Sequence, residues 1–299
     1  MTDTTPTIGR IWREIQARLE AAREVGPREG RQLVQHVLGL DDNGLIMAEN
    51  REFPVAKMGE LEGLVGRRLG GEPLAYVLGF AWFYGRKWRV TPDVLIPRPD
   101  TEVLVEAVLA RLEAGFEVVE VGVGSGCIGG TLLAERADIT LLGIDIDAAA
   151  AAVALENMRT YVAPERQQGG IDVVVRDGMD GIVRKFNLLV SNPPYIADAE
   201  WETLEDEVKD FEPRTALTGR EANPDGLLFY RRLAGWGRDR LVQGGWLCVE
   251  VGWQQAQAVR ELLEELREEQ TEQSGHVWCE ISITKDLSGR ERVVCARRC

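Results

Sequence analysis

Residues 117–136 constrain the fold more than any other stretch. Glu117-Val118-Val119-Glu120-Val121 reads as a short strand, Gly122-Val123-Gly124-Ser125-Gly126 as a turn, and Cys127 to Arg136 as an amphipathic helix. The glycines permit a tight turn and let backbone N–H groups approach a ligand at the helix N-terminus. A second strand, Ile139 to Ile144, ends in Asp145, where a carboxylate can accept both hydroxyls of a ribose. Gly124-Ser125-Gly126-Cys127-Ile128-Gly129 also fits the dinucleotide fingerprint, with Asp145 near the place of its ribose acid. On this segment alone a nicotinamide dehydrogenase fits as well.

A second element narrows the choice. The apolar run Asn187-Leu188-Leu189-Val190-Ser191 reads as a buried strand, and Asn192-Pro193-Pro194-Tyr195 follows it. Two prolines cannot continue a sheet, so they hold Asn192 and Tyr195 in a rigid loop. In open α/β sheets ligands bind at the carboxyl ends of strands. The chemistry suits gripping a planar nitrogen. The Asn192 carbonyl and the Pro193 backbone carbonyl can accept from an NH2 group, and the Tyr195 ring can pack on the flat group behind it. A dehydrogenase has no use for this loop.

The combination resembles the class I S-adenosylmethionine-dependent methyltransferases that act on planar amino or amide nitrogens. The flanks extend the likeness: Gly71-Glu72-Pro73-Leu74-Ala75-Tyr76, Leu95-Ile96-Pro97-Arg98-Pro99-Asp100-Thr101-Glu102 and Phe211-Glu212-Pro213-Arg214-Thr215-Ala216-Leu217, then Gly244-Gly245-Trp246-Leu247, Glu250-Val251-Gly252-Trp253-Gln254-Gln255 and Lys285-Asp286-Leu287-Ser288-Gly289-Arg290-Glu291-Arg292. In this order, over nearly the whole chain, they resemble the protein-(glutamine-N5) methyltransferases that modify the Gly-Gly-Gln loop of peptide-chain release factors. The resemblance implies an α/β, Rossmann-like, mostly parallel seven-stranded sheet with a small N-terminal helical bundle. It implies S-adenosylmethionine held by Glu120, Gly122, Val123, Gly124, Ser125, Gly126, Asp145, Asp177, Gly178 and Asn192. Asn192, Pro193 and Tyr195 would be catalytic, and Pro194 and Arg98 would join them in binding substrate, with no metal. Gly129 departs from the family, where Ala or Ser is more usual, and is expected only to weaken its helix. Alternatives are a nucleic-acid adenine-N6 methyltransferase, an enzyme acting on a ribosomal protein, or a binding module that has lost activity.

Charge bears on the first alternative. Residues 1–90 carry 13 Lys/Arg against 12 Asp/Glu, and residues 91–299 carry 22 against 37. So acidic a catalytic half disfavours DNA, whose binding needs phosphate neutralisation. The start Met1-Thr2-Asp3-Thr4-Thr5-Pro6 lacks a basic-then-apolar signal, and no long apolar run occurs, so a cytoplasmic protein without a membrane partner is expected. It is expected to work as a monomer. The five cysteines form no C-x-x-C pair. Neither zinc site nor disulfide is indicated, and Cys299 reads as an exposed thiol.

Three domains are expected: a helical substrate-docking bundle at 1–70, an aromatic β-hairpin linker at 71–99, and a catalytic domain at 100–299. Stripes at Ile11/Ile15/Leu19, Leu33/Val34/Val37 and Leu61/Leu64/Val65 mark the bundle's helices, with His36 as a packing residue. Helices are expected at 101–114, 127–136, 148–159, 225–242 and 253–268. Strands are expected near 117–121, 139–144, 171–176, 187–191, 245–251, 277–283 and 292–296, one of the last two antiparallel. The acidic run Asp198 to Glu212 reads as a solvated face or a rim facing substrate.

Overall fold

The computed structural model describes residues 6–266 and 276–299. The chain divides into two compact units, one ending at Phe80 and the other beginning at Ala81.

The first unit is helical: α1 (Ile8–Ala22), α2 (Glu29–Leu38), α3 (Asp42–Ala48), α4 (Val55–Leu69) and α5 (Leu74–Leu78). Thr7 and Asp41 cap α1 and α3, each accepting a backbone N–H three residues on. Asp41-Asp42-Asn43-Gly44, which reads as a break, is therefore the start of a helix. The apolar stripes meet in one core containing Ile11, Leu19, Leu33, Val34, Leu61 and Val65. Arg68 and Glu29 form a buried pair at 2.6 Å within it. The exposed His36 ring stacks on Phe80 at 6.2 Å. Tyr76-Val77-Leu78 is helix where the sequence reads as strand. Pro73 starts a single turn that Gly79 closes in the left-handed region, and the apolar pattern is too short to separate the two periods.

A hairpin that begins at the last residue of the first unit, β1 (Phe80–Phe83) and β2 (Arg86–Arg89), turns at Tyr84 and Gly85, both at positive φ. Phe83 and Trp88 fall in the segment that reads as an aromatic linker. Instead they are buried in the core of the catalytic unit, with the Trp88 indole donating to the Phe83 carbonyl. A 3₁₀ turn at Pro99–Thr101 leads into α6 (Glu102–Leu109), shorter than the helix expected to residue 114. Then follow β3 (Glu117–Val121), α7 (Cys127–Glu135), β4 (Thr140–Asp145), α8 (Ala148–Tyr161), α9 (Pro164–Gly170), β5 (Ile171–Val175) and β6 (Phe186–Ser191). After a second 3₁₀ turn at Asp198–Thr203 come α10 (Asp206–Phe211), α11 (Arg214–Leu217), α12 (Leu228–Arg240), β7 (Leu241–Glu250), α13 (Ala256–Glu265), β8 (Trp278–Lys285) and β9 (Glu291–Arg298). The expected end of the helix at 253–268 lies outside the described residues. Among these, no helix is long and apolar enough to cross a membrane.

The sheet order is β5-β4-β3-β6-β7-β9-β8, parallel except for β9, which runs antiparallel to both neighbours. Both faces are buried, as parallel sheets require. On β3, Val118 enters one core with Leu132, Leu133 and Met158, while Val119 enters the other with Leu142, Leu189 and Tyr230. Each fully buried aliphatic side chain contributes about 1.5–3 kcal/mol. The chain leaves β3 toward β4 on one side and returns to β6 on the other. A crevice therefore opens at their carboxyl ends.

Two of the five cysteines depart from expectation. Cys279 and Cys299 are joined in a disulfide, with Cα atoms 5.8 Å apart, because β8 and β9 bring residues distant in sequence side by side. Cys127, Cys248 and Cys295 are buried thiols.

Gly126 starts α7 at φ 76°, and an added β-carbon would lie 2.9 Å from the Ala154 backbone in α8. Gly126→Ala combines left-handed strain with overpacking, and should cost about 2–4 kcal/mol. Urea unfolding checks this, and an unchanged midpoint would show that α7 and α8 can separate freely.

Candidate active site

The glycine loop between β3 and α7 is clamped to the end of β4. The N–H groups of Gly122 and Val123 both donate to the Ile144 carbonyl, at 2.8 and 3.1 Å. Gly124 N–H donates to Asp145 Oδ2 at 2.9 Å, and Asp147 N–H to Oδ1 at 3.0 Å. Burial raises the Asp145 pKa, and these two donors oppose it. A β-carbon on Gly124 would meet nothing within 4 Å, because a cavity lies in front of the loop.

Gly122, Val123, Gly124, Ser125, Asp145, Asp177, Gly178, Asn192, Pro193, Pro194 and Arg98 all line that cavity. The structure thus gathers most of the residues singled out in the sequence. Three stand outside it. Gly126 packs on Ala154, as described above. Tyr195 lines a small recess beside the cavity, with Leu95, Asn192 and Pro193. Glu120 is fully buried behind the loop, where its Oε2 accepts from Gly129 N–H at 3.0 Å. Burial pushes its carboxyl up to about 8. This also explains Gly129. A β-carbon there would come within 2.3 Å of Glu120 Oε2, so the glycine makes room for the carboxyl rather than merely weakening the helix.

Asp177 follows β5 and pairs with Arg232 at 2.8 Å. Arg232 also pairs with Glu221 and lies over the Trp236 ring. Phe229, Arg232 and Trp236, spaced three and four apart on α12, form a wall of the cavity that the sequence reading missed. Their spacing on one helix face was the available signal.

The Asn192 loop is braced from several sides. Asn192 Nδ2 donates to Thr101 Oγ1 at 3.4 Å. Gln255 Nε2 donates to the Tyr195 backbone carbonyl at 2.9 Å. Burial first, then the Glu250 charge, pushes the Tyr195 phenol up to about 12. It is therefore neutral at physiological pH.

The flanking segments meet around this loop. Glu212 is buried. It accepts from Ile96 N–H at 3.1 Å and pairs with Arg98, joining segments more than a hundred residues apart. Glu212 is thus an internal brace and not part of a solvated rim. Arg292 Nη2 bonds Asp100 at 2.9 Å and Asp286 at 3.2 Å, tying the last turn to the entry of α6.

Such a sheet order, with a glycine loop and an acid at the end of the next strand, defines a class I methyltransferase domain. The Methyltransferase small domain family model matches residues 99–209, and the PrmC N-terminal domain model matches residues 10–79. A release factor glutamine methyltransferase of Rhodospirillum rubrum is 40% identical over 293 residues, covering 97% of this chain and 85% of the relative. One of Koribacter versatilis is 35% identical over 285 residues, 94% of each. The catalytic domain of hMettl16 superposes with a TM-score of 0.53 at 15% identity, covering 82% of each chain, a likeness of fold alone. The chain belongs to the release factor glutamine methyltransferase family.

Glu212→Ala would orphan the buried Ile96 N–H and release Arg98, costing about 1–3 kcal/mol. Chemical denaturation measures the loss, and full stability in the variant would show that the Arg98–Glu212 contact holds nothing in place.

Proposed function

We propose that the protein transfers a methyl group from S-adenosylmethionine to the side-chain nitrogen of the glutamine in the Gly-Gly-Gln loop of peptide-chain release factors. The observation that carries this reading is the state of Asn192. Its NH2 group is committed to Thr101, which leaves its carbonyl oxygen for a substrate donor at the cavity. Near full-length similarity to relatives bearing that name supports the choice of substrate.

The residues present fit the cofactor. Gly124 leaves open space, Asp145 offers a carboxylate for the ribose hydroxyls, and Phe229 and Trp236 offer flat surfaces for a base. Bound there, S-adenosylmethionine supplies a methyl group activated by the sulfonium charge. The protein's own task is alignment and desolvation, because an amide nitrogen is a weak nucleophile. The Asn192 side chain and the Pro193 carbonyl accept the two N–H hydrogens of the target amide. The same acceptors stabilise positive charge developing on its nitrogen. Tyr195, neutral and held by Gln255, packs against the amide plane.

A basic protein loop suits a catalytic half carrying 37 acids against 22 bases better than a phosphodiester chain does. The helical unit ending at Phe80 is read as a second docking point, which raises the effective concentration of the loop at the cavity. The enzyme would act in the cytoplasm. Incubation with labelled cofactor and either intact release factor, a Gly-Gly-Gln peptide or DNA tests the proposal. Intact factor should be the best substrate, and preferential labelling of DNA would overturn the reading.

Asp145→Ala should weaken cofactor binding by one to two decades, since charge-assisted hydrogen bonds of this kind are worth about 1.5–3 kcal/mol. Calorimetric titration reads this directly, and unchanged affinity would remove Asp145 from the ribose site. Asn192→Ala should leave that affinity largely intact and lower kcat by on the order of a hundredfold or more. Normal turnover at saturation would show that Asn192 does not hold the target amide.

A further inference from the structure

An asparagine side chain has nearly the same shape either way round, so something must decide whether its oxygen or its NH2 group faces the substrate. At Asn192 the outcome matters. A reversed amide would set its NH2 group against the NH2 group of the target, donor against donor.

Glu250 stands where that decision is made. It is the last residue of β7, and Ser191 of β6 pairs with Val249, so Glu250 lies level with Asn192 on the neighbouring strand. It is 2% exposed, and the neighbouring Thr101 hydroxyl and Asn192 amide both act to hold its pKa down. Its Oε2 is buried without a hydrogen-bond partner. Thr101 is also 2% exposed. A threonine hydroxyl has one proton. Asn192 Nδ2 donates to the Thr101 oxygen, which leaves that single proton free to point toward Glu250. The reaction described above makes no use of this carboxyl.

We propose that Glu250 is a positioning residue: with Thr101 it accepts the amide N–H groups of Asn192 and so presents the Asn192 carbonyl oxygen to the substrate nitrogen. This rests on the amide-gripping role given to Asn192. The carboxylate also polarises the Asn192 amide and places more negative charge on the oxygen that faces the developing cation.

The surroundings make the effect titratable. Burial raises the Glu250 carboxyl to about 7. Arg292 of β9 opposes that rise and Asp100, before α6, adds to it. Tyr195, Tyr230 of α12 and Cys127 of α7 also face Glu250, all with pKa values raised by burial. Of the groups facing one another here, Glu250 is the one that changes charge near neutrality. It is ionised, and most effective, above about 7.

Glu250→Gln in the full-length protein, assayed on intact release factor, tests the proposal. Cofactor affinity and KM for the factor should stay within about threefold, while kcat falls about tenfold to a hundredfold, the range expected for a misaligned reacting group. The wild-type kcat should rise with pH to a plateau above about 7, and the variant should lack that inflection. Equal kcat and equal pH profiles would overturn the proposal. A second readout needs neither substrate nor a folded Glu250 variant. In the wild-type protein without ligands, the Asn192 side-chain NH2 signals, assigned by their loss in Asn192→Asp, should shift with pH near neutrality. Static signals would overturn the positioning role whatever the substrate. Shifting signals without methylation of release factor would uphold it and remove only the substrate assignment.

Discussion

The site hangs from one backbone clamp. Gly122 and Val123 share the Ile144 carbonyl, and Gly124 reaches Asp145 beyond it. The loop therefore moves with the end of β4, and the Asp145 carboxylate is set at a fixed distance from the N–H groups of the loop. This is possible because β3 and β4 are parallel neighbours in register, Val121 against Ile144. A loop held by its own backbone donors stays open toward the ligand without needing side chains to shape it. Glu120 supports the clamp from behind through Gly129, without entering the cavity.

Around the clamp, polar groups far apart in sequence are locked in pairs. Arg98 meets Glu212, Arg292 meets Asp100 and Asp286, and Gln255 meets the Tyr195 carbonyl. Arg292 ties two loops to β9, and the other two contacts join one loop to another. Loops carry chemistry but lose conformational entropy when ordered. Buried, directional contacts offset that loss at the Asn192 loop. The burial of Glu212 and Arg292 reflects this role.

The electrostatics of the cavity are uneven. Glu120 and Glu250 are fully desolvated carboxyls pushed up to about 8 and about 7, while Asp177 stays paired with Arg232 at the surface.

Much was legible in the chain itself. Strand, glycine turn and helix at 117–136 follow from local sterics and period, and so do the parallel strands and the proline-stiffened loop at 192–195. The residues facing the cavity were largely visible because motif glycines and terminal acids are dictated by close backbone approach. What sequence order could not reveal were contacts decided by packing in three dimensions. Gly129 answers to a carboxyl nine residues earlier. Glu212, in an acidic run that reads as solvated, is buried against Ile96 and Arg98. Cys299 pairs with Cys279 because two antiparallel strands bring them together. Tyr76–Leu78 form a helical turn because an apolar run that short carries no period of its own. Local propensity and motif spacing act over a few residues, and so survive in the sequence. Partners across the sheet exist only once the chain has folded, and tertiary structure alone chose them.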